Sequence, residues 1–159
     1  MKFEDEALEL IAARYKELES LSMKVNAEFM EERDTDNEPL KPFDRSTMSV
    51  RVRPRGEYAL TIVWVWTRFI KTTTGWLPRT QEVRKGRGPC TPRDRLMKQA
   101  KEWEEERVWA AELKLAEIRK ELKVLKRIVA DLRLLKKTDE KMREELADYI
   151  LEPSGENSQ

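Results

Sequence analysis

The sequence predicts an α+β fold: a long antiparallel helical hairpin that carries a three-stranded antiparallel β-meander between its two helices. Three observations predict it. Apolar residues recur in steps of three and four from Leu8 to Phe29 and again from Ala111 to Leu132, the spacing of one buried stripe on a helix. Between these stretches, residues 47–86 either alternate apolar with polar side chains or run β-branched and aromatic, as strands do. Both stripes also have the same length, about 32 Å at 1.5 Å per residue, which suits two helices packed side by side in opposite directions.

The first helix is expected over residues 3–33. Leu8, Ile11, Tyr15, Leu18, Val25 and Phe29 form its stripe, only Ser22 breaks the series, and no glycine or proline interrupts it. Residues 34–46 lose the period, and Pro39 and Pro42 forbid further helix, so this segment reads as a linker with Leu40 and Phe43 tucked against the core. The meander follows over residues 47–86. Val50 and Val52 alternate with Arg51 and Arg53 in a first strand ended by Pro54. Tyr58 to Lys71 is apolar on both faces, as a central strand is, and the more polar Trp76 to Lys85 reads as an edge strand. A three-residue connection through Arg55, Gly56 and Glu57 would set Val52 opposite Leu60 and Val50 opposite Ile62, keeping the apolar residues of both strands on one face. Carried through the next turn, the pattern sets Ile70 opposite Trp76. The sheet then has a tryptophan-rich face toward the helices and a basic face toward water.

Thr91-Pro92-Arg93-Asp94 combines a hydroxyl N-cap, a proline at the first helical position and an acid three residues after the cap. It starts a long helix expected over residues 92–137. Its upstream residues Leu96, Ala100 and Trp103 fall slightly out of phase with the stripe from Ala111 onward, which puts them beside a sheet at one end of the hairpin, where Trp103 and Trp109 would meet Trp64 and Trp66. Thr138-Asp139-Glu140 offers a second N-cap after Lys136 and Lys137. Residues 138–152 are therefore either a short C-terminal helix carrying Met142, Leu146 and Ile150 or a continuation of the long one. Residues 1–152 read as one domain and the polar segment 153–159 as a disordered tail.

Charge is 40% of the chain, well above the usual quarter, yet the net charge is only +1. Its distribution is uneven. Residues 1–44 hold 6 basic and 13 acidic groups, residues 45–98 hold 13 and 3, and residues 99–159 hold 13 and 15. A basic middle between acidic flanks points to an anionic partner, against the plainer reading of a solvated surface paired with the acidic first segment. The candidate contacts are Arg51, Arg53, Arg79 and Lys85 on one sheet face, with Arg55, Lys71, Arg87, Arg93 and Arg95 at its rims. Arginines outnumber lysines there, which suits phosphate or guanine recognition. The basic run from Lys114 to Lys137 either extends this footprint or flanks a coiled-coil seam. Trp64 and Trp66 share a face and read as core rather than as a stacking platform, whereas Trp76, beside a turn, is the tryptophan expected to be exposed.

Catalytic chemistry has little to build on. The chain has no histidine and one cysteine, Cys90, so neither a disulfide nor the usual metal sites are expected, and no cofactor motif is present. The acidic start lacks the apolar run of a signal peptide, and no segment approaches the roughly 20 apolar residues of a membrane span. A non-enzymatic, cytoplasmic protein that does not engage membranes is expected.

The order of helix, aromatic and arginine-rich hairpin, and long charged helix with tryptophan near its start resembles the MobI type of conjugative-transfer auxiliary protein, found on mobile elements. The resemblance covers residues 47 to about 130 and rests on Tyr58–Phe69 and Trp103–Ile118. It implies an accessory protein without enzymatic activity that recognises an origin-of-transfer region and helps a relaxase begin DNA processing. It assigns no individual residue. The expected partners are double-stranded DNA, a relaxase or other transfer protein, and a second copy in a homodimer. The alternative is a coiled-coil structural or adaptor protein acting through protein–protein contacts, with the basic sheet merely solvated.

Overall fold

The computed structural model describes residues 2–150; the segment expected to form a disordered tail lies outside the described residues, as does the side chain of Ile150. Seven elements run in the order α1 (Phe3–Asn37), β1 (Ser49–Pro54), β2 (Leu60–Thr72), β3 (Gly75–Glu82), α2 (Arg93–Met97), α3 (Glu105–Glu145) and α4 (Ala147–Ile150). Glu4, Asp5 and Glu6 fill the first turn of α1, where carboxylates offset the positive end of the helix dipole. The helix runs into the expected linker because nothing before Pro39 breaks it. Tyr15, Leu18, Val25 and Phe29 are buried, and so is Ser22, which stays in the apolar row by donating its hydroxyl to the Leu18 carbonyl at 2.7 Å.

α1 and α3 lie antiparallel, as expected. Arg14 bonds Glu121 at 2.5 Å, Lys136 bonds Asp5 at 3.0 Å, and Arg107 pairs with Asp36. The sheet lies along the hairpin rather than at its end. Trp64, fully buried, meets the Phe29 ring edge-on at 5.1 Å, while Tyr58 meets Tyr15 at 6.4 Å and lies under the Arg133 guanidinium at 5.2 Å. Trp109 packs against the core cluster that holds Trp64, and the two tryptophans ahead of the long stripe carry guanidiniums on their rings, Arg107 over Trp103 and Arg93 over Trp109. Phe43 is 74% exposed, and Met48 fills the core position near the linker instead.

Strand order is β1-β2-β3 and both pairings are antiparallel. The registers differ from expectation in ways with unequal consequences. Val52 faces Ile62 and Val50 faces Trp64, two residues from the expected pairing; a two-residue slip keeps every side chain on its face. Ile70 faces Leu77, one residue from expectation, which turns all of β3 over.

The long helix does not begin at Thr91. A single turn and a half, α2, ends at Met97, and the chain restarts through a 3-10 turn at Glu102–Glu104. The N-cap chemistry of Thr91 is spent elsewhere: Thr91 is buried and its backbone N–H donates to Glu112 at 2.6 Å. The phase shift at Leu96 and Ala100 marks this break. Thr138 starts no new helix; its hydroxyl returns to the Leu134 carbonyl at 2.9 Å and α3 continues to Glu145.

Glu112 and Arg119, two turns apart on one face of α3, form a buried ion pair at 2.8 Å. Glu112 also accepts the Trp64 indole N–H at 3.0 Å. Arg119 donates to the Ile62 carbonyl through Nε and Nη2, both at 3.1 Å, and to the Pro89 carbonyl at 2.9 Å. A second buried carboxylate, Glu104, accepts the Ser46 hydroxyl at 2.6 Å and the Lys101 N–H at 3.2 Å. With two bonds between Asn37 and Ser46, it fastens the linker to the start of α3.

Removing one partner of a buried ion pair leaves the other charged and unsolvated, so Arg119→Met is expected to cost about 3–5 kcal/mol in urea unfolding, and adding Glu112→Gln to recover part of the loss. A second prediction concerns pH. Burial raises the Glu104 carboxyl above its ordinary value of 4.5, with the Ser46 and Lys101 hydrogen bonds opposing. The folded chain thus holds this proton more tightly than the unfolded chain, a contribution fully present below the ordinary pKa and lost as pH rises through the raised one. Glu104→Gln should abolish that loss, so its Tm relative to the unsubstituted protein should climb as pH rises above the ordinary carboxyl value; thermal melts over a pH series that starts below that value check it.

Candidate nucleic-acid interface

β2 and β3 outrun β1. Pairing with β1 stops at Val65, whereas β2 and β3 stay paired from Val65–Glu82 to Thr72–Gly75. From Trp66 outward the sheet is a two-stranded ribbon projecting about 20 Å at 3.4 Å per residue. Its turn closes on Gly75, whose φ of +127° suits only glycine, and the Thr72 hydroxyl donates to the Gly75 carbonyl at 2.7 Å.

The ribbon presents cations and large apolar side chains together. Arg68 and Arg79 stand directly opposite each other on one face, next to Leu77 and Ile70; Phe69, Lys71, Trp76 and Pro78 occupy the other. Trp76 is 54% exposed, as expected, and Phe69 and Leu77 are about half exposed. Phe43 packs edge-on to Trp76 at 6.0 Å, so the linker buttresses the ribbon. That buttress is itself fixed: Lys101 donates to the Phe43 carbonyl at 3.1 Å, and Ser46 is tied to Glu104.

Of the nine expected contact residues, the four expected on one sheet face, Arg51, Arg53, Arg79 and Lys85, do not share it, and seven of the nine fall into three places. Arg51 and Arg53 do project outward from β1, opposite Val63 and Thr61, and Arg55 is exposed in the following loop. Arg51 is partly neutralised by Glu82 at 3.3 Å. Lys71 and Arg79 belong to the ribbon, and Arg79 lies on the face opposite to Arg51 because of the one-residue register difference. Lys85 lies beyond β3, turned toward α3, its ammonium donating to the Gly86 and Gly88 carbonyls at 3.3 and 2.6 Å. Arg87 is exposed in the same loop. The rim residues Arg93 and Arg95 are engaged internally, Arg93 on Trp109 and Arg95 donating to the Arg84 carbonyl at 3.0 Å.

Lys85 and Arg87 border a cleft of about 410 Å3 between α3 and the start of β2 with Ala59 before it, and Lys123 and Lys126 of α3 line it as well. Burial lowers the Lys85 pKa, the Arg119 and Lys123 charges lower it further, and the Glu112 charge opposes them. Cys90, in the same loop, is half-buried; burial, then the Glu112 charge, pushes its thiol pKa up, which suppresses its nucleophilic form. Sequence reasoning did not single out Arg68, Lys123 or Lys126. Arg68 was legible from the even-numbered alternation after Trp66, and the two lysines from the basic run along α3.

Among the described residues, none of Arg53, Arg68, Lys71, Arg79, Lys85, Arg87, Lys123 and Lys126 forms an ion pair. No helix of the described residues is long and apolar enough to cross a membrane. Compared with known proteins, the chain matches a family model described as MobI protein over residues 18–133, well over half its length. No curated protein and no solved structure matches it.

Proposed function

The chain belongs to the MobI family, and from that premise we propose that it is a non-enzymatic, cytoplasmic DNA-binding accessory protein of conjugative transfer, which engages duplex DNA at an origin-of-transfer region and assists a relaxase there. The observation that carries the reading is the pair Arg68 and Arg79, opposed on an exposed ribbon with no carboxylate between them. Like charges facing each other across two strands cost stability, a cost that an anionic partner removes. A two-stranded ribbon fits the major groove, where arginine forks pair with guanine edges or phosphates. Lys71 at the ribbon end and Arg51 and Arg53 on the adjoining sheet face supply backbone contacts that fix orientation. Behind them the helical hairpin acts as a rigid base.

One observation favours the adaptor reading as an addition. Ile128, Leu135 and Met142 recur every seven residues on α3, each at least 40% exposed, with Val124 alongside. Such a stripe suits helix-mediated association with another chain, including a second copy.

Five cations engaging phosphates predict that log affinity for duplex DNA falls with log salt at a slope of about −4.5. Arg68→Ala with Arg79→Ala is expected to weaken binding at least about tenfold and to flatten that slope by about 2, leaving Tm unchanged or raised. Fluorescence anisotropy across a salt series checks this; binding that ignores salt, or an unaltered double variant, overturns the reading.

A further inference from the structure

The central strand is paired on both sides only near its middle, at Trp64 and Val65. β3 reaches Glu82 opposite Val65, and one further bond runs from the Val83 N–H to the Trp64 carbonyl at 2.8 Å. Beyond that point the chain leaves for the 84–91 loop, and Ala59 with residues 60–63 of β2 have β1 on one side and the cleft on the other. The hydrogen-bond alternation fixes which groups face the cleft. Arg55 N–H bonds the Ala59 carbonyl at 2.8 Å, so residues 59, 61 and 63 exchange bonds with β1, and Leu60 and Ile62 turn their backbone groups the other way. Arg119 takes the Ile62 carbonyl. The Leu60 N–H and C=O and the Ile62 N–H bond no described residue.

Natural proteins protect such an edge with proline, inward charge or a covering segment; here an open cleft lies beside it. Its floor is apolar and aromatic, from Tyr15, Tyr58 and Leu122, and its walls carry Lys85, Arg87, Lys123 and Lys126. None of these four cations is paired within the described chain, and no carboxylate lines the cleft. A free strand edge offers alternating donors and acceptors to another backbone, an apolar floor takes alternate side chains, and a cationic wall takes acids. Phosphate groups would meet the cations but leave the Leu60 carbonyl unanswered.

We propose that this cleft takes an extended acidic peptide segment of a partner protein, which adds to the free edge of β2 as a fourth strand, its apolar side chains on Tyr58 and Leu122 and its carboxylates against Lys123, Lys126 and Arg87. The site is separate from the ribbon and does not depend on DNA binding.

The test uses the full chain and a fluorescein-labelled peptide alternating valine with glutamate, long enough to span Ala59–Val63. Saturable binding is expected, with slowed hydrogen exchange at the Leu60 and Ile62 amides. Lys123→Glu with Lys126→Glu should weaken it about tenfold or more, as should Arg87→Glu separately; all three positions are exposed, so the fold is retained. Arg68→Ala with Arg79→Ala should leave peptide affinity unchanged while reducing DNA affinity, which keeps this proposal and the DNA-binding reading distinguishable. A backbone N-methylated version of the peptide, equal in charge, should fail to bind. The proposal is overturned if the unmodified peptide does not bind, if the methylated peptide binds equally well, or if an oligothymidylate of equal charge protects the same amides more strongly.

Discussion

The buried pair of Glu112 and Arg119 is the interaction on which the rest of the molecule depends. It is set on one helix, at a spacing of two turns, yet its remaining bonds reach a tryptophan and a carbonyl of β2, the backbone at Thr91 and the carbonyl of Pro89. Burying two charges is costly, and the cost is offset only when every donor and acceptor finds a partner. The arrangement meets that condition: no buried side-chain polar atom among the described residues lacks a hydrogen bond. It therefore specifies one position of the sheet along α3 in a way that interchangeable apolar contacts would not.

That fixed position has two consequences for the surface. Anchoring β2 at Ile62 and Trp64 leaves its outer half free to project with β3, so the ribbon leaves a rigid base and is further steadied where Phe43 meets Trp76. Arg119 also occupies the Ile62 carbonyl on the side where β3 would otherwise have continued. The loop that carries Lys85 and Arg87 is drawn to α3 through Pro89 and Thr91, and the cationic cleft opens in the space that the third strand vacates. One polar network thus separates the positive charge of the middle segment into a ribbon and a cleft.

Much of the fold could be read from periodicity. The stripes of α1 and α3, the three strands and their order, and the antiparallel hairpin all follow from local patterns that tertiary packing reinforces. What misled was local chemistry that tertiary contacts redirected. Thr91 had the residues of an N-cap, but its N–H belongs to Glu112; Thr138 looked like a start and is satisfied inside a helix. The phase slip at Leu96 and Ala100 was a sound sign of the break in the helix. In the candidate site, Arg51 and Arg53 face outward as their alternation predicts, whereas Arg79 lies on the other face from the one expected, because residues 71–75 do not form the expected turn: Lys71 and Thr72 still pair with Trp76 and Gly75, and a one-residue change of register inverts a strand.

The sequence by itself determined which segments are helical and which extended, since a stripe at 3.6 or an alternation at 2 residues has only one way to bury its apolar side. It also determined that the middle of the chain carries excess positive charge. Only the tertiary structure decided where that charge goes. Strand register, the end of β3 at Glu82 and the seating of the sheet on Glu112 and Arg119 are set by contacts between residues dozens of positions apart. Such contacts depend on satisfying buried polar groups in three dimensions, a condition that no local spacing along the chain encodes.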